Sequence, residues 1–98
     1  MTPEAKVKVE IRRVLIGHGC WFFMPSMNGY GRAGIPDFIG CYKGLFFAIE
    51  AKAPMGRMTE HQKREMDAIG KADGHAVIAR SGDDAREFLR AITVQRKA

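Results

Sequence analysis

The sequence predicts an α/β fold, a mixed four-stranded sheet flanked by helices. Three observations carry that prediction. Apolar residues recur at helical spacing in stretches that begin near Thr2, Thr59 and Ser81. Between them lie short runs rich in aromatic and β-branched residues: Cys20 to Met24, Ile35 to Tyr42, Leu45 to Lys52 and His75 to Arg80. The order is then helix, strand, hairpin, helix, strand, helix, which gives a mixed sheet with helices on its faces.

Thr2-Pro3-Glu4 opens the first helix with a threonine cap, a proline at the first helical position and an acid in the first turn. Val7, Ile11, Val14, Leu15 and His18 recur along it, and Gly17 or Gly19 ends it. At 100° per residue Glu4 falls within about 20° of Ile11 and Leu15, whereas Glu10 lies about 120° away, so Glu4 is the inward acid. Cys20 to Met24, bounded by Pro25, is expected as a strand buried on both faces, with Trp21, Phe22 and Phe23 in the core. Ser26 to Gly34 is a glycine-rich loop in which Tyr30 and Arg32 stand between Gly29, Gly31 and Gly34. Such a loop can bring backbone close to a phosphate while presenting an aromatic face and a guanidinium.

Ile35 to Tyr42 and Leu45 to Lys52 flank Lys43-Gly44, whose glycine supplies the positive φ of a tight reversal. With those two as loop residues, Tyr42 faces Leu45, Cys41 faces Phe46, and the count brings Asp37 opposite Glu50. Opposed residues share a face, with Cβ atoms roughly 4.5 to 5.5 Å apart. Glu50 and Lys52 also point the same way, because strand side chains alternate. Two carboxylates and an ammonium therefore converge. Like charges facing each other across strands destabilise a sheet unless something sits between them, and a hard divalent cation that keeps several waters suits such a pair.

Ala53 to Met58 forms a loop to the next helix, where Thr59 and Gln62 fit a capping box. Gln62, Met66, Ile69 and Asp73 share one helical stripe, so Gln62 stands at its site-facing end. A single amide is not expected to serve fully both as cap and at the site. Gly74 ends this helix. His75 to Arg80 is a short buried strand, and Ser81 to Asp84 caps a last helix with Ala85, Phe88, Leu89 and Ile92 on its apolar stripe. The tail from Thr93 is expected to fray.

The chain has 98 residues, 46% of them hydrophobic, enough for one domain, residues 1–98, with a small core that a second copy could extend. A formal charge of +5 and a pI near 9.6 favour a polyanionic partner. Cys20 and Cys41 lack ligand spacing and are read as reduced core residues; His18, His61 and His75 are read as ordinary helix or strand residues. No apolar run approaches the roughly 20 residues needed to span a bilayer, so a cytoplasmic protein with no membrane partner is expected.

Pro36-Asp37 followed by Glu50-Ala51-Lys52 is the PD-(D/E)xK signature of restriction-endonuclease-like nucleases. Gly34-Ile35-Pro36-Asp37 resembles in particular the VRR-NUC family, the virus-type replication-repair nucleases. Thr2-Pro3-Glu4 with Lys6-Val7-Lys8, Tyr30 to Gly34 and Cys41 to Gly44 look like its compact phage and bacterial members, so the resemblance runs from Thr2 to Gly74. It implies the αβββαβ core of the restriction-endonuclease-like fold and a Mg²⁺- or Mn²⁺-dependent deoxyribonuclease. In that reading Asp37, Glu50 and the Ala51 backbone carbonyl bind the metal, with Glu4 as a further ligand. Lys52 positions the attacking water or takes its proton, and Gln62 steadies the lysine or the water. Tyr30, Arg32, Arg57 and Lys63 hold the DNA backbone. Some compact relatives act as dimers on branched DNA, which makes a homodimer acting on four-way junctions the expected form, in a bacterial or phage-infected cell. Two other classes fit the residues: a non-catalytic nucleic-acid-binding module on the same fold, and a small interaction subunit.

Overall fold

The computed structural model describes residues 1–26 and 31–97. Helix α1 (Pro3–Gly17) leads to strand β1 (Trp21–Phe23), the hairpin β2 (Phe38–Tyr42) and β3 (Leu45–Ala51), helix α2 (Glu60–Lys71), strand β4 (His75–Ala79) and helix α3 (Gly82–Lys97). The strands form one sheet in the order β1-β2-β3-β4. The first two pairings are antiparallel and β3 pairs β4 in parallel, so the sheet is mixed, as the sequence predicts.

The hairpin register follows from its turn. Lys43 and Gly44 have φ of 51° and 80°, the pair of positive angles of a type I′ reversal whose twist matches that of the strands. Tyr42 pairs with Leu45 and Cys41 with Phe46, as expected, and the ladder continues to Phe38 opposite Ile49. Phe38, Phe47, Ile49 and Ala51 therefore share one face. There they meet Val7, Ile11, Val14 and Leu15 of α1 and Ala85, Leu89 and Ile92 of α3 in the buried core. The Phe88 ring stands edge-on to Phe47, with centroids 6.4 Å apart.

The helix ends follow their caps. Thr2 Oγ1 accepts the Ala5 N–H at 3.1 Å and starts α1. Ser81 Oγ accepts the Asp84 N–H at 3.1 Å, while Glu10 Oε1 accepts the Gly82 N–H at 2.9 Å. Glu10, turned away from the site as the helical count requires, thus caps α3 from the neighbouring helix. Helix α2 stops at Lys71, before Gly74, and the chain reverses through Asp73 at φ 66°.

Three expectations need correction. Strand β1 is not buried on both faces: it is the sheet's edge, only Phe22 packs inward against Phe38, and Trp21 and Phe23 are 66% and 48% exposed. Helix α2 packs against the β3–β4 side of the second face, bringing Ile69 beside Phe46 and Gly74, and leaves the β1 side uncovered. For the same reason Cys41 is exposed rather than in the core. Cys20 is half-buried, its thiol pushed up to about 11 by that burial and by the nearness of Cys41. Strand β4 is half-buried rather than buried, because it is the opposite edge of the sheet. Helix α3 runs through Thr93 to Lys97, with Ile92 buried and Thr93 Oγ1 donating to Leu89 O at 2.8 Å. Among the described residues no helix is long and apolar enough to cross a membrane.

Candidate active site

Asp37 lies immediately before β2, and its register position is opposite Glu50 of β3. Asp37 Oδ2 accepts the backbone N–H of Ala51 at 2.9 Å, which ties it to the strand that carries Glu50. Since Lys52 N–H points to Ala79 O on β4, at 3.1 Å, the preceding peptide edge of Ala51 looks the other way, toward Asp37. Alternation puts Glu50 and Lys52 on the face of the sheet that α2 covers. Both are buried, at 3% and 7% exposure, and Lys52 Nζ lies 3.4 Å from Glu50 Oε2.

The Glu50 carboxyl is raised from its ordinary 4.5 to about 7, first by burial and then by the nearby Asp37 carboxylate, while Lys52 opposes both. Removing charge from water is costly and like charges repel, so Glu50 holds its proton into the neutral range. A cation placed between the two carboxylates would reverse that balance.

Gln62 makes a cap contact and a site contact at once, which a single amide was not expected to do, and its partner at the site is Glu50 rather than Lys52. Its Oε1 accepts the Thr59 N–H at 2.9 Å and completes the capping box, while its Nε2 donates to Glu50 Oε2 at 2.9 Å. The two ends of the amide do different work: the carbonyl starts the helix and the NH₂ fixes the carboxylate.

The chain reaches this site through Gly34, at φ +83°, where a Cβ would collide with the backbone of His61 and Gln62. Next to it Arg32 Nε donates to Glu65 Oε2 at 2.5 Å, and the Glu65 side chain is largely buried on α2. Arg32, expected on a DNA backbone, therefore has a structural partner that pins the approach loop to α2. Tyr30 lies outside the described residues. Arg57 and Lys63 are exposed on the loop before α2 and on its first turns, and Lys63 Nζ is 3.4 Å from Glu60.

Glu4 points to the site side of α1 but reaches Asp37 through a lysine. Lys8 Nζ lies 3.8 Å from Glu4 Oε2 and 3.4 Å from Asp37 Oδ1. Among the described residues no group of three or more His, Cys, Asp or Glu stands ready to hold a metal ion. Asp37 and Glu50 still fit a hard cation such as Mg²⁺, which takes one or two protein carboxylates and fills its remaining positions with water or phosphate oxygen.

Sequence reasoning missed three residues here. Lys8 is four residues after Glu4, a spacing that signals an ion pair. Glu65 falls on the Gln62–Ile69 stripe, where a carboxylate needs a cation. Arg80 carried no local signal: its Nη1 donates to the carbonyls of Ala53 at 2.7 Å, Gly56 at 2.8 Å and Pro54 at 3.2 Å, holding the loop that follows Lys52.

No family model matches the sequence, and no curated protein does either. A solved structure of a VRR_NUC domain does match in three dimensions, with a TM-score of 0.77 over 92% of this chain and 97% of that one, at 21% identity. The chain thus has the fold of a VRR_NUC domain, in agreement with the resemblance carried by its motifs.

Proposed function

We propose that the protein is a VRR-NUC-type, divalent-metal-dependent nuclease that hydrolyses the phosphodiester bonds of DNA. The observation that carries this reading is the juxtaposition of Asp37 and Glu50 across the hairpin with Lys52 on the same buried face, since two opposed carboxylates serve no purpose in a hydrophobic sheet. Asp37, Glu50 and the Ala51 carbonyl would hold Mg²⁺ or Mn²⁺, with Glu4 as a further ligand in this reading. The bound ion would polarise the scissile phosphate and acidify a water. The chain's own groups do the rest. Lys52 Nζ orients the attacking water and offsets the negative charge that gathers on the phosphate oxygens. Gln62 Nε2 keeps Glu50 in a single rotamer, and Arg80 keeps the loop after Lys52 in place.

Arg57 and Lys63, both exposed, would meet the DNA backbone, a reading supported by a net charge of +5. Phosphate contacts fix position and carry no sequence information, so selectivity falls to substrate shape. We assign a homodimer acting on branched DNA such as a four-way junction, because two sites held by one two-fold axis match a junction with opposed strands.

The test is cleavage of supercoiled, linear and four-way-junction DNA with Mg²⁺, Mn²⁺ or chelator, beside Asp37→Ala and Lys52→Ala, with oligomeric state measured by light scattering. Metal-dependent cutting that both substitutions abolish is the expected result. Cutting that survives both removes the mechanism, and binding without cutting in any metal favours the non-catalytic module.

A further inference from the structure

Lys8 occupies an unusual place for a surface lysine. Its side chain is only 35% exposed, and its ammonium stands between two acids from different parts of the chain, Glu4 one turn earlier on α1 and Asp37 before β2. One oxygen of Asp37 is fixed to the Ala51 N–H, so the other is the one that faces Lys8. That oxygen is also the one left for a metal ion.

The two lysines of the site differ in how they are held. Lys52 is buried, and Gln62 donates to the same Glu50 oxygen that it faces. Against Lys52, which is 9% exposed and 3.4 Å from Glu50, Lys8 is 35% exposed and sits 3.4 and 3.8 Å from its acids. Its hold is Coulombic, on a flexible four-carbon stem with water at hand, and is readily exchanged for another cation. The same position explains why Glu4 is not gathered with Asp37 and Glu50.

We propose that Lys8 is the built-in counter-cation of the site: its ammonium holds Glu4 and Asp37 in the metal-free protein and must be displaced when a divalent ion binds. Lys8 thereby weakens metal binding, and Glu4 becomes available to the ion only as the ammonium swings out. This inference rests on Asp37 being a metal ligand, as argued above.

Mn²⁺ binding, read from the loss of the free-ion electron paramagnetic resonance signal, tests it without reference to activity. The proteins are wild type, Lys8→Met, Lys8→Arg, Asp37→Asn and, as a control for the loss of one positive charge, Lys71→Met on the exposed end of α2. Lys8→Met is expected to bind Mn²⁺ about tenfold more tightly than wild type. Lys8→Arg should stay within about threefold of wild type, Lys71→Met within about twofold, and Asp37→Asn should lose the site. Thermal unfolding gives a second readout, with Mn²⁺ raising the Tm of Lys8→Met more than that of wild type. Affinity in Lys8→Met equal to or below wild type, or matched by Lys71→Met, overturns the proposal while leaving the metal reading intact if Asp37→Asn has lost binding. Absence of binding in both wild type and Lys8→Met overturns the two together.

Discussion

At the open end of the hairpin the sheet buries charge, while at its β1 edge it exposes hydrocarbon. Glu50 and Lys52 are nearly inaccessible, whereas Trp21 and Phe23 lie on the surface. Both pairs lie on the face of the sheet that α2 partly covers, so what separates them is the reach of one 12-residue helix. Burial here follows the site rather than polarity. The helix is set over β3 and β4 by Gln62 on Glu50, by Arg32 on Glu65 and by the close approach at Gly34, all polar or backbone contacts. Among the described residues the apolar edge has no such fastening.

Removing charge from the buried end is expected to have the largest effect. Asp37→Asn keeps the bond to Ala51 N–H through its amide oxygen but removes an anionic ligand. An effect of several kcal/mol on the transition state corresponds to a loss of DNA cleavage of more than about a thousandfold, measured in single-turnover assays with the fold checked by circular dichroism.

Next in size is the cost of Glu50 itself. Its folded value near 7 lies above the ordinary 4.5, so between those two values the folded chain holds a proton that the unfolded chain has released. Stability in metal-free buffer should therefore fall as pH rises from about 4.5 to about 7 and level off above it. Glu50→Gln removes this slope and should raise stability at pH 8 by roughly 2 kcal/mol, read from urea unfolding at several pH values. A slope that persists in Glu50→Gln would place the titration elsewhere.

A smaller effect separates the two halves of Gln62. Gln62→Glu keeps an oxygen for the Thr59 N–H but loses the donor to Glu50 and sets a like charge against it. A destabilisation of about 1 kcal/mol at pH 8, shrinking at pH 5, is expected, whereas Gln62→Leu loses cap and site bond together at all pH values, by roughly 1 to 2 kcal/mol. Urea titrations at the two pH values distinguish them. The smallest effect belongs to the exposed edge. Trp21→Ser should change stability by less than about 0.5 kcal/mol, and in wild type the fluorescence of Trp21 should be readily quenched by iodide. A large loss on Trp21→Ser would show that the edge is covered in solution.

The parts of this molecule that sequence made legible are those set by local geometry. Lys43-Gly44 fixes the turn, the turn fixes the register, and the register brings Asp37 to Glu50 without knowledge of the rest. Thr2, Thr59 and Ser81 likewise announce their helices. The exposure of β1 was hidden because an aromatic run reads the same whether or not a helix covers it, and covering depends on where α2 lands. Glu65 and Arg80 were hidden because their partners, Arg32 and the carbonyls after Lys52, lie far away in sequence. Lys8 was visible as a neighbour of Glu4 but not of Asp37. Gln62 was found by its spacing, and only the orientation of its amide was out of reach.

The contact at Gly34 sets a limit on how this protein can drift. A residue with no functional group is pressed against the backbone of His61 and Gln62, at the very start of α2. A single added carbon there would act as a wedge, prying the helix from the sheet and carrying the glutamine amide off its carboxylate. Of the described positions along the approach to the site, the one bearing the least chemistry is therefore the least replaceable.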